Sequence, residues 1–343
     1  MSLSVVIRSR DEADRLRLTL ASLSRQTTAA EVVVVDDGSS DHTQGVLAEA
    51  AKRQRLTVVR HNEAKGRSAA SNAGARAASG EVLLFLDGDT LAGPGLVERH
   101  VARHAEAASL IGRGETFHLR CTRFLADPET GAPRPGEEAR IERLSADERA
   151  RMRVTRDQVL NDFGAVHVRA EPGVYPGAGP RRLYEIEMQA LRCQPDCTVL
   201  WAAASGSNQS VRRGAFLEAG GFDERLDINE HRELALRLCK AGGCMGAVDG
   251  ARSYHLTHRS GWRDPMSDPH WETLFYTAHP IAAVKLMAVF WASLGAGRDQ
   301  ADNERIGSLA DLEIAARGGT GIDYDAVRQR LGLPALDGTR ALA

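Results

Sequence analysis

Four short apolar runs, each followed by a stretch with helical spacing, open the chain. Residues 3–7 read as a first strand, and Leu16, Leu20 and Leu23 recur at the spacing of an amphipathic helix. Residues 31–35 form a second, β-branched run that stops at the turn cluster Asp36-Asp37-Gly38-Ser39-Ser40, and a helix carrying Val46, Leu47, Ala50 and Ala51 follows. Residues 56–59 predict a third strand, the alanine-rich residues 68–78 a helix and residues 82–86 a fourth strand. Strands apolar on both faces and separated by single helices imply an α/β fold: a doubly wound, mostly parallel sheet covered on both sides. In such sheets ligands bind beyond the carboxyl ends of the strands. That rule singles out Arg8, the Asp36-Asp37 turn and Asp87-Gly88-Asp89, all charged.

Between residues 112 and 182 the pattern loosens into a stretch rich in Arg, Glu, Pro and Gly, with one helix predicted over residues 145–161. Order returns at Tyr184, with a strand predicted over residues 198–204, the loop Ser205-Gly206-Ser207-Asn208, and helices over residues 214–219 and 230–241. From Trp262 the chain reads as helices separated by Gly and Pro. No linker is long enough to divide it. The expected organisation is a domain over 1–261, made of a first half (1–112), an insertion (113–183) and a second half (184–261), with a helical C-terminal extension over 262–343.

Composition narrows the classes. The 343 residues are 43% hydrophobic and 26% charged, ordinary for a globular chain, and the formal net charge of −2 gives no nucleic-acid footprint. The N-terminus, MSLSVVIRSRDEADR, turns charged by Arg8 and reads as mature, not as a signal peptide. The longest apolar run, residues 280–296, contains Lys285 and falls short of the roughly 20 residues of a spanning helix, so a buried helix is favoured over a membrane-touching one. Five cysteines, an odd number, fit a reduced cytoplasmic interior better than a disulfide framework. Cys193 and Cys197 flank Pro195 and are not expected to hold a metal.

The chemistry concentrates at the strand ends. Asp87 and Asp89, one residue apart where an apolar strand opens into a loop, can turn toward one point, with Gly88 expected to let the backbone make that turn. Hard dications such as Mg²⁺ or Mn²⁺ combine such carboxylates with substrate phosphates. A carboxylate at Asp36 or Asp37 suits a uracil N–H or a ribose hydroxyl, or simply a helix start. Arg8, Lys65 and Arg67 are cations placed to pair with a diphosphate, solvated surface charge being the plainer alternative.

The segment VVVVDDGSSDHT, followed by SNAGARAASGEVLLFLDGD, resembles the N-terminal half of family-2 glycosyltransferases with the GT-A fold. SGSNQSVRRGAFLEAGGFDE, the helix NEHRELALRL and a histidine near Tyr254 resemble their second half, so the likeness covers residues 3–112 and 199–258. It implies a nucleotide-diphosphate sugar donor, usually a UDP-sugar, and a divalent metal, Mn²⁺ or Mg²⁺. It further implies that Asp36-Asp37 contacts the base, that Asp87 lies near the ribose and that Asp89 binds the metal with His255 or His258. The family's acceptor-side helix usually begins Glu-Asp, whereas this chain has Asn229-Glu230-His231. Glu230, Glu233 and Arg237 should share one helix face and Leu234, Leu238 and Ala241 the other, core-facing one. Glu230 is the expected base, with His231 second. Asp223, after the Gly220-Gly221 turn, is placed to reach a sugar hydroxyl, and Trp262 and Arg263 to close over the diphosphate.

The expected activity is metal-dependent transfer of a sugar to a hydroxyl, with inversion. Retention stays open, as does a non-catalytic nucleotide-sugar-binding protein, for which His231 is the motivation. A nucleotidyltransferase would need glycines where Arg8-Ser9-Arg10-Asp11 stands, and a dinucleotide dehydrogenase a G-x-G-x-x-G after a strand; neither pattern is present. Residues 113–183 are the expected place of acceptor recognition, for a small metabolite, natural product or lipid-linked glycan. Association of copies is left open.

Overall fold

The computed structural model describes residues 1–173, 183–258, 266, 268, 270–295 and 300–336. Strands β1 (Leu3–Ser9), β2 (Glu31–Asp37), β3 (Leu56–His61) and β4 (Val82–Asp87) alternate with helices α1 (Ala13–Leu23), α2 (Thr43–Ala51) and α3 (Arg67–Ala77). These four strands are parallel, as predicted. The chain continues through β5 (Thr90–Ala92), α4 (Leu96–Glu106) and β6 (Leu110–His118), and later through β10 (Gln209–Arg212) and β11 (Cys244–His255). Together they complete one sheet in the order β3-β2-β1-β4-β10-β6-β11-β5. β10 runs antiparallel to both β4 and β6, so the sheet is mixed although mostly parallel.

Side chains alternate between the two faces. Val5, Ile7, Val34, Leu84 and Leu86 pack under α1 and α4 on Leu16, Leu20, Leu96 and Val97. Val6, Val33, Leu83 and Phe85 face the opposite way. There α3 approaches so closely that a Cβ on Gly74 would lie 2.5 Å from Val6 Cγ1. Burial of both faces explains why these strands carry near-continuous apolar runs.

β6 runs unbroken across residue 112, so Arg113 to His118 belong to the sheet. Beyond it come a short hairpin of β7 (Leu125–Asp127) and β8 (Ala132–Pro133), and a two-residue strand β9 (Glu171–Pro172) beside β6. Between them lie helices α5 (Glu138–Glu142), α6 (Ala146–Met152), α7 (Arg156–Asn161) and α8 (Phe163–His167). The single helix predicted over residues 145–161 is two. Ser145 with Glu148, and Thr155 with Gln158, each close a capping box, and the chain breaks between them to bury Val154. Nor is the insertion a purely polar surface excursion, because Val154, Val159 and Val166 pack with Leu18, Leu91, Tyr254 and Leu256.

After α9 (Leu183–Cys193) the predicted strand over residues 198–204 is instead a buried 3₁₀ turn, Leu200–Ala203. Its carbonyls meet guanidinium groups and no strand partner: Arg232 Nε donates to Ala202 O (2.7 Å) and Arg113 Nη1 to Ala203 O (2.6 Å). Helices α10 (Arg213–Glu218) and α11 (Glu230–Lys240) follow. Contrary to the predicted two-faced pattern, α11 is buried on its charged side as well. Glu233 is 2% exposed, accepts from Arg237, and receives His279 Nε2–H at 2.8 Å.

The C-terminal region folds as α12 (His270–Ala278), α13 (Ala282–Ser293), α14 (Leu309–Ala316) and α15 (Tyr324–Arg330). α13 is buried along its length, in one core with Phe85, Trp201 and Leu234, as the burial reading of residues 280–296 expected. Among the described residues, no helix is long and apolar enough to cross a membrane.

Candidate active site

The carboxyl ends of β1, β2 and β4 bring the predicted charges to one edge. Arg8 and Asp87 are register partners on β1 and β4, and Ser9 partners Asp36. Arg8 Nε donates to Asp87 Oδ1 at 2.7 Å, while Nη1 donates to Glu230 Oε1 at 3.0 Å. The cation expected to meet a diphosphate therefore ties the first strand to the start of α11. Its two carboxylate partners raise the guanidinium's affinity for its proton against the opposing effect of burial.

Glu230 is 2% exposed. Burial alone would weaken its acidity, but His231, Arg8 and Arg67 outweigh it and hold the carboxyl far below the usual range. His231 Nε2 accepts from Arg232 Nη1 at 2.8 Å, so the neutral ring carries its proton on Nδ1, 3.6 Å from Glu230 Oε2. Among the described residues that Nδ1 meets no acceptor at hydrogen-bond distance, and it lies beside Gly206, where a Cβ would sit 3.3 Å away. Burial lowers the basicity of the ring. Of these two side chains, Glu230 is held as the carboxylate and His231 as the neutral ring.

Asp89 forms the second cluster. His255 Nε2 and His258 Nε2 lie 3.1 and 2.7 Å from its Oδ2, and the three donor atoms all fall within 4.8 Å of one another. Both histidines offered by the sequence are thus present. Burial opposes ionisation of Asp89, but His255 and His258 overcome it and hold the carboxyl well below its usual range. Asp89 in turn raises the His255 ring against its burial. Two imidazoles and one carboxylate on a loop edge suit a divalent transition metal with further positions left to substrate. The residues fit such an ion.

Gly88 is not in the left-handed region; its necessity is spatial. A Cβ there would fall 2.3 Å from Glu12 Oε1 and 2.6 Å from Ser9 Oγ. Burial and the charges of Asp89 and Asp87 push the Glu12 carboxyl well above its usual range. Glu12 was not legible in the sequence, because nothing local ties the end of β1 to the Asp-x-Asp turn. Nor was Arg15, which donates to Leu125 O, Ala126 O and Leu256 O and so ties the insertion to the segment that carries His255 and His258.

The remaining predicted residues take other places. Asp36 is fully buried and accepts from Ser39 N. Asp37 accepts from Lys65 N, Gly66 N and His61 Nδ1–H, so it builds the loop that leads into α3. Lys65 and Arg67 are exposed at the start of that helix. Asp223 turns toward Arg225, in a two-pronged pair at 2.7–3.2 Å. Asp227, not Asp223, lies against Gly66, its Oδ1 3.0 Å from the position of a Cβ there. Trp262 and Arg263 lie outside the described residues.

The Ser205–Asn208 loop joins the two halves. Ser207 Oγ accepts from Asp87 N, and Asn208, at φ +60°, donates through Nδ2 to Ala251 O, Glu115 O and Ser253 Oγ. A half-sheet of parallel strands extended by an antiparallel strand and flanked by helices agrees with the GT-A fold that the resemblance implied. Residues 4–119 match glycosyl transferase family 2. Over 110 residues the chain is 46% identical to validoxylamine A glucosyltransferase of Streptomyces hygroscopicus subsp. jinggangensis (strain 5008), a stretch making up 31% of this chain and 26% of that protein. It is 34% identical over 113 residues to the uncharacterized glycosyltransferase YfnE of Bacillus subtilis (strain 168), 32% of this chain and 29% of that one. The likeness to these relatives thus spans less than a third of their own length. The fold likeness extends further. S. aureus TarS 1–349 in complex with UDP-GlcNAc superposes with a TM-score of 0.56 at 15% identity, over 92% of this chain and 82% of that one. The mannosyltransferase PcManGT from Pyrobaculum calidifontis, in complex with GDP-Man and Mn²⁺, gives 0.50 at 15% identity, over 97% and 76%. Residues 4–119 are thus similar to glycosyl transferase family 2, and the chain as a whole has the GT-A fold.

Proposed function

We propose that the chain transfers a sugar from a nucleotide-diphosphate sugar, a UDP-sugar in the first instance, to a hydroxyl acceptor with inversion. The observation that carries this is the convergence of Asp87, Glu230 and the Asp89–His255–His258 cluster on one sheet edge, with Arg8 bridging the first two. Asp89, His255 and His258 would hold a divalent ion, which when bound offsets the charge developing on the leaving diphosphate. Lys65 and Arg67, exposed at the start of α3, add cations on the same side. Asp87 keeps one oxygen free of Arg8 for a ribose hydroxyl, while Asp36 and Asp37 shape the loops that receive the base.

Glu230 is the base in this scheme. It is ionised throughout the neutral range, as a proton acceptor must be, but it is a weak one. It therefore takes the proton late, as the acceptor oxygen bonds to the anomeric carbon and becomes acidic. Attack from the Glu230 side, opposite the departing diphosphate, inverts the anomeric centre. The segment 113–183, tied by Arg15 to the segment that carries His255 and His258, is the proposed acceptor-recognising part. The naming of one relative for glucosyl transfer involving validoxylamine A supports a natural-product hydroxyl as the acceptor class.

Thermal shift with UDP- and GDP-sugars, each with and without Mn²⁺, tests the donor reading, since a ligand of the folded state raises its apparent stability. A Mn²⁺-dependent upward shift with a UDP-sugar, followed by sugar transfer to added hydroxyl acceptors, is expected. No shift with any nucleotide-sugar would sink it, and binding without transfer or hydrolysis would favour a non-catalytic protein.

A further inference from the structure

His118 stands beside the Asp89 cluster without belonging to it. It is the register partner of His255 across β6 and β11. Their Nδ1 atoms lie 3.2 Å apart, and the rings meet edge to face with centroids 5.1 Å apart. One residue back, Phe117 and Tyr254 stack on each other, so strand alternation places both histidines on the same, opposite face.

Two imidazole nitrogens at this distance form a hydrogen bond only when one carries a proton and the other a lone pair. Without a metal, His255 Nε2–H faces Asp89 Oδ2. An ion held by His255 Nε2 needs that nitrogen's lone pair, so the ring's proton must sit on Nδ1. The acceptor that meets this Nδ1–H is His118 Nδ1. We infer that His118 is a positioning residue that holds His255 with Nε2 toward the ion, and that the cluster selects Mn²⁺ or a later first-row dication over Mg²⁺. The selectivity follows from the donors: two imidazole nitrogens and one carboxylate oxygen suit first-row transition metals, whereas Mg²⁺ demands oxygen ligands in near-ideal octahedral geometry. The inference rests on the reading of Asp89, His255 and His258 as a metal site.

The test is direct titration of the full chain with Mn²⁺, following the free ion by electron paramagnetic resonance, with no sugar donor present. The wild type is compared with D89A, H118A, H118F and H118N. D89A should lose the site. H118A should bind Mn²⁺ about 10- to 100-fold more weakly, the usual cost of losing a partner behind a metal ligand. H118N, which can present a carbonyl oxygen to His255, should recover most of that affinity. Where H118A melts early, H118F keeps the ring volume without the acceptor and carries the comparison. A hundredfold excess of Mg²⁺ should leave Mn²⁺ bound to the wild type. Wild-type affinity in H118A and H118F overturns the positioning role, and displacement by that hundredfold excess of Mg²⁺ overturns the selectivity. No binding by the wild type overturns the metal reading itself, an outcome distinct from the other two.

Discussion

Arg8 Nη1 donates to Glu230 Oε1 at 3.0 Å across 222 residues of sequence, while its Nε holds Asp87. One guanidinium thus fixes the spacing between the carboxylate proposed to lie near the ribose and the one proposed to take the acceptor proton. We expect R8A to lower kcat at least a hundredfold and to lower the melting temperature, because Asp87 and the buried Glu230 lose their shared cation. R8K should remain severely impaired, since an ammonium is a point charge and cannot serve both carboxylates through a planar fork. Steady-state kinetics with the donor identified by thermal shift would check both, and near-wild-type turnover in R8K would reject the bridging role.

The base assignment separates two neighbours. E230Q should lower kcat by about a hundredfold or more, the scale of lost general-base help, with donor affinity unchanged within a few-fold. H231A should retain more activity than E230Q, because the Nε2 lone pair of His231 is already occupied by Arg232. Loss of donor binding alone in E230Q would move Glu230 to the nucleotide site, and an inactive H231A beside an active E230Q would make His231 the base.

Asp89 is the shared acceptor of both cluster histidines. We expect D89A to abolish the Mn²⁺-dependent part of donor binding while the protein stays folded, since the residue lies at the sheet edge and not within either apolar core. Calorimetric titration of the UDP-sugar with and without Mn²⁺ measures it. An unchanged affinity in Mn²⁺ would count against the assignment.

A buried polar chain links α4 to β10. His100 Nε2–H donates to Asn208 Oδ1, His100 Nδ1 accepts from Ser210 Oγ–H, and Ser210 Oγ in turn accepts from His104 Nε2–H. Burial lowers His100 to about 4 and, with the nearby positive charges, His104 to about 3, from an ordinary 6.5. The unfolded chain therefore binds protons at these positions below about pH 6.5 while the folded chain does not, so stability falls as pH drops from there toward 4 and 3. H104Q keeps a donor for Ser210 and removes one titrating ring. Its urea midpoint should decline less steeply between pH 6.5 and 4 than that of the wild type, and equal slopes would refute the account.

The insertion offers a test of acceptor recognition. Replacing residues 127–140 by a short Gly/Ser linker removes the hairpin turn, β8 and the start of α5 but spares Arg15's acceptors at Leu125 and Ala126, and the buried Val154, Val159 and Val166. Donor binding and metal-dependent donor hydrolysis should persist, with acceptor KM sharply raised. Unchanged acceptor kinetics would make the segment a surface excursion, and lost donor binding would assign it to the nucleotide pocket.

The parallel half of the sheet, β1 to β4 with α1 to α3, was legible in the residues alone, and with it the charged edge of Arg8, Asp36-Asp37 and Asp87-Gly88-Asp89. These features are local: apolar periodicity marks each element, and the parallel topology carries every strand's end to the same side. Glu230 and the two candidate histidines were legible as positions in a family pattern, though not their partners. Tertiary structure alone decided that Glu12 packs on Gly88, that His118 stands behind His255, and that one arginine joins Asp87 to Glu230. It also turned residues 200–203 into a 3₁₀ turn, since Arg113 and Arg232 take the carbonyls that a neighbouring strand would have used. Each of these outcomes depends on pairing between residues distant in the chain, where register and competition for hydrogen bonds outweigh local preference.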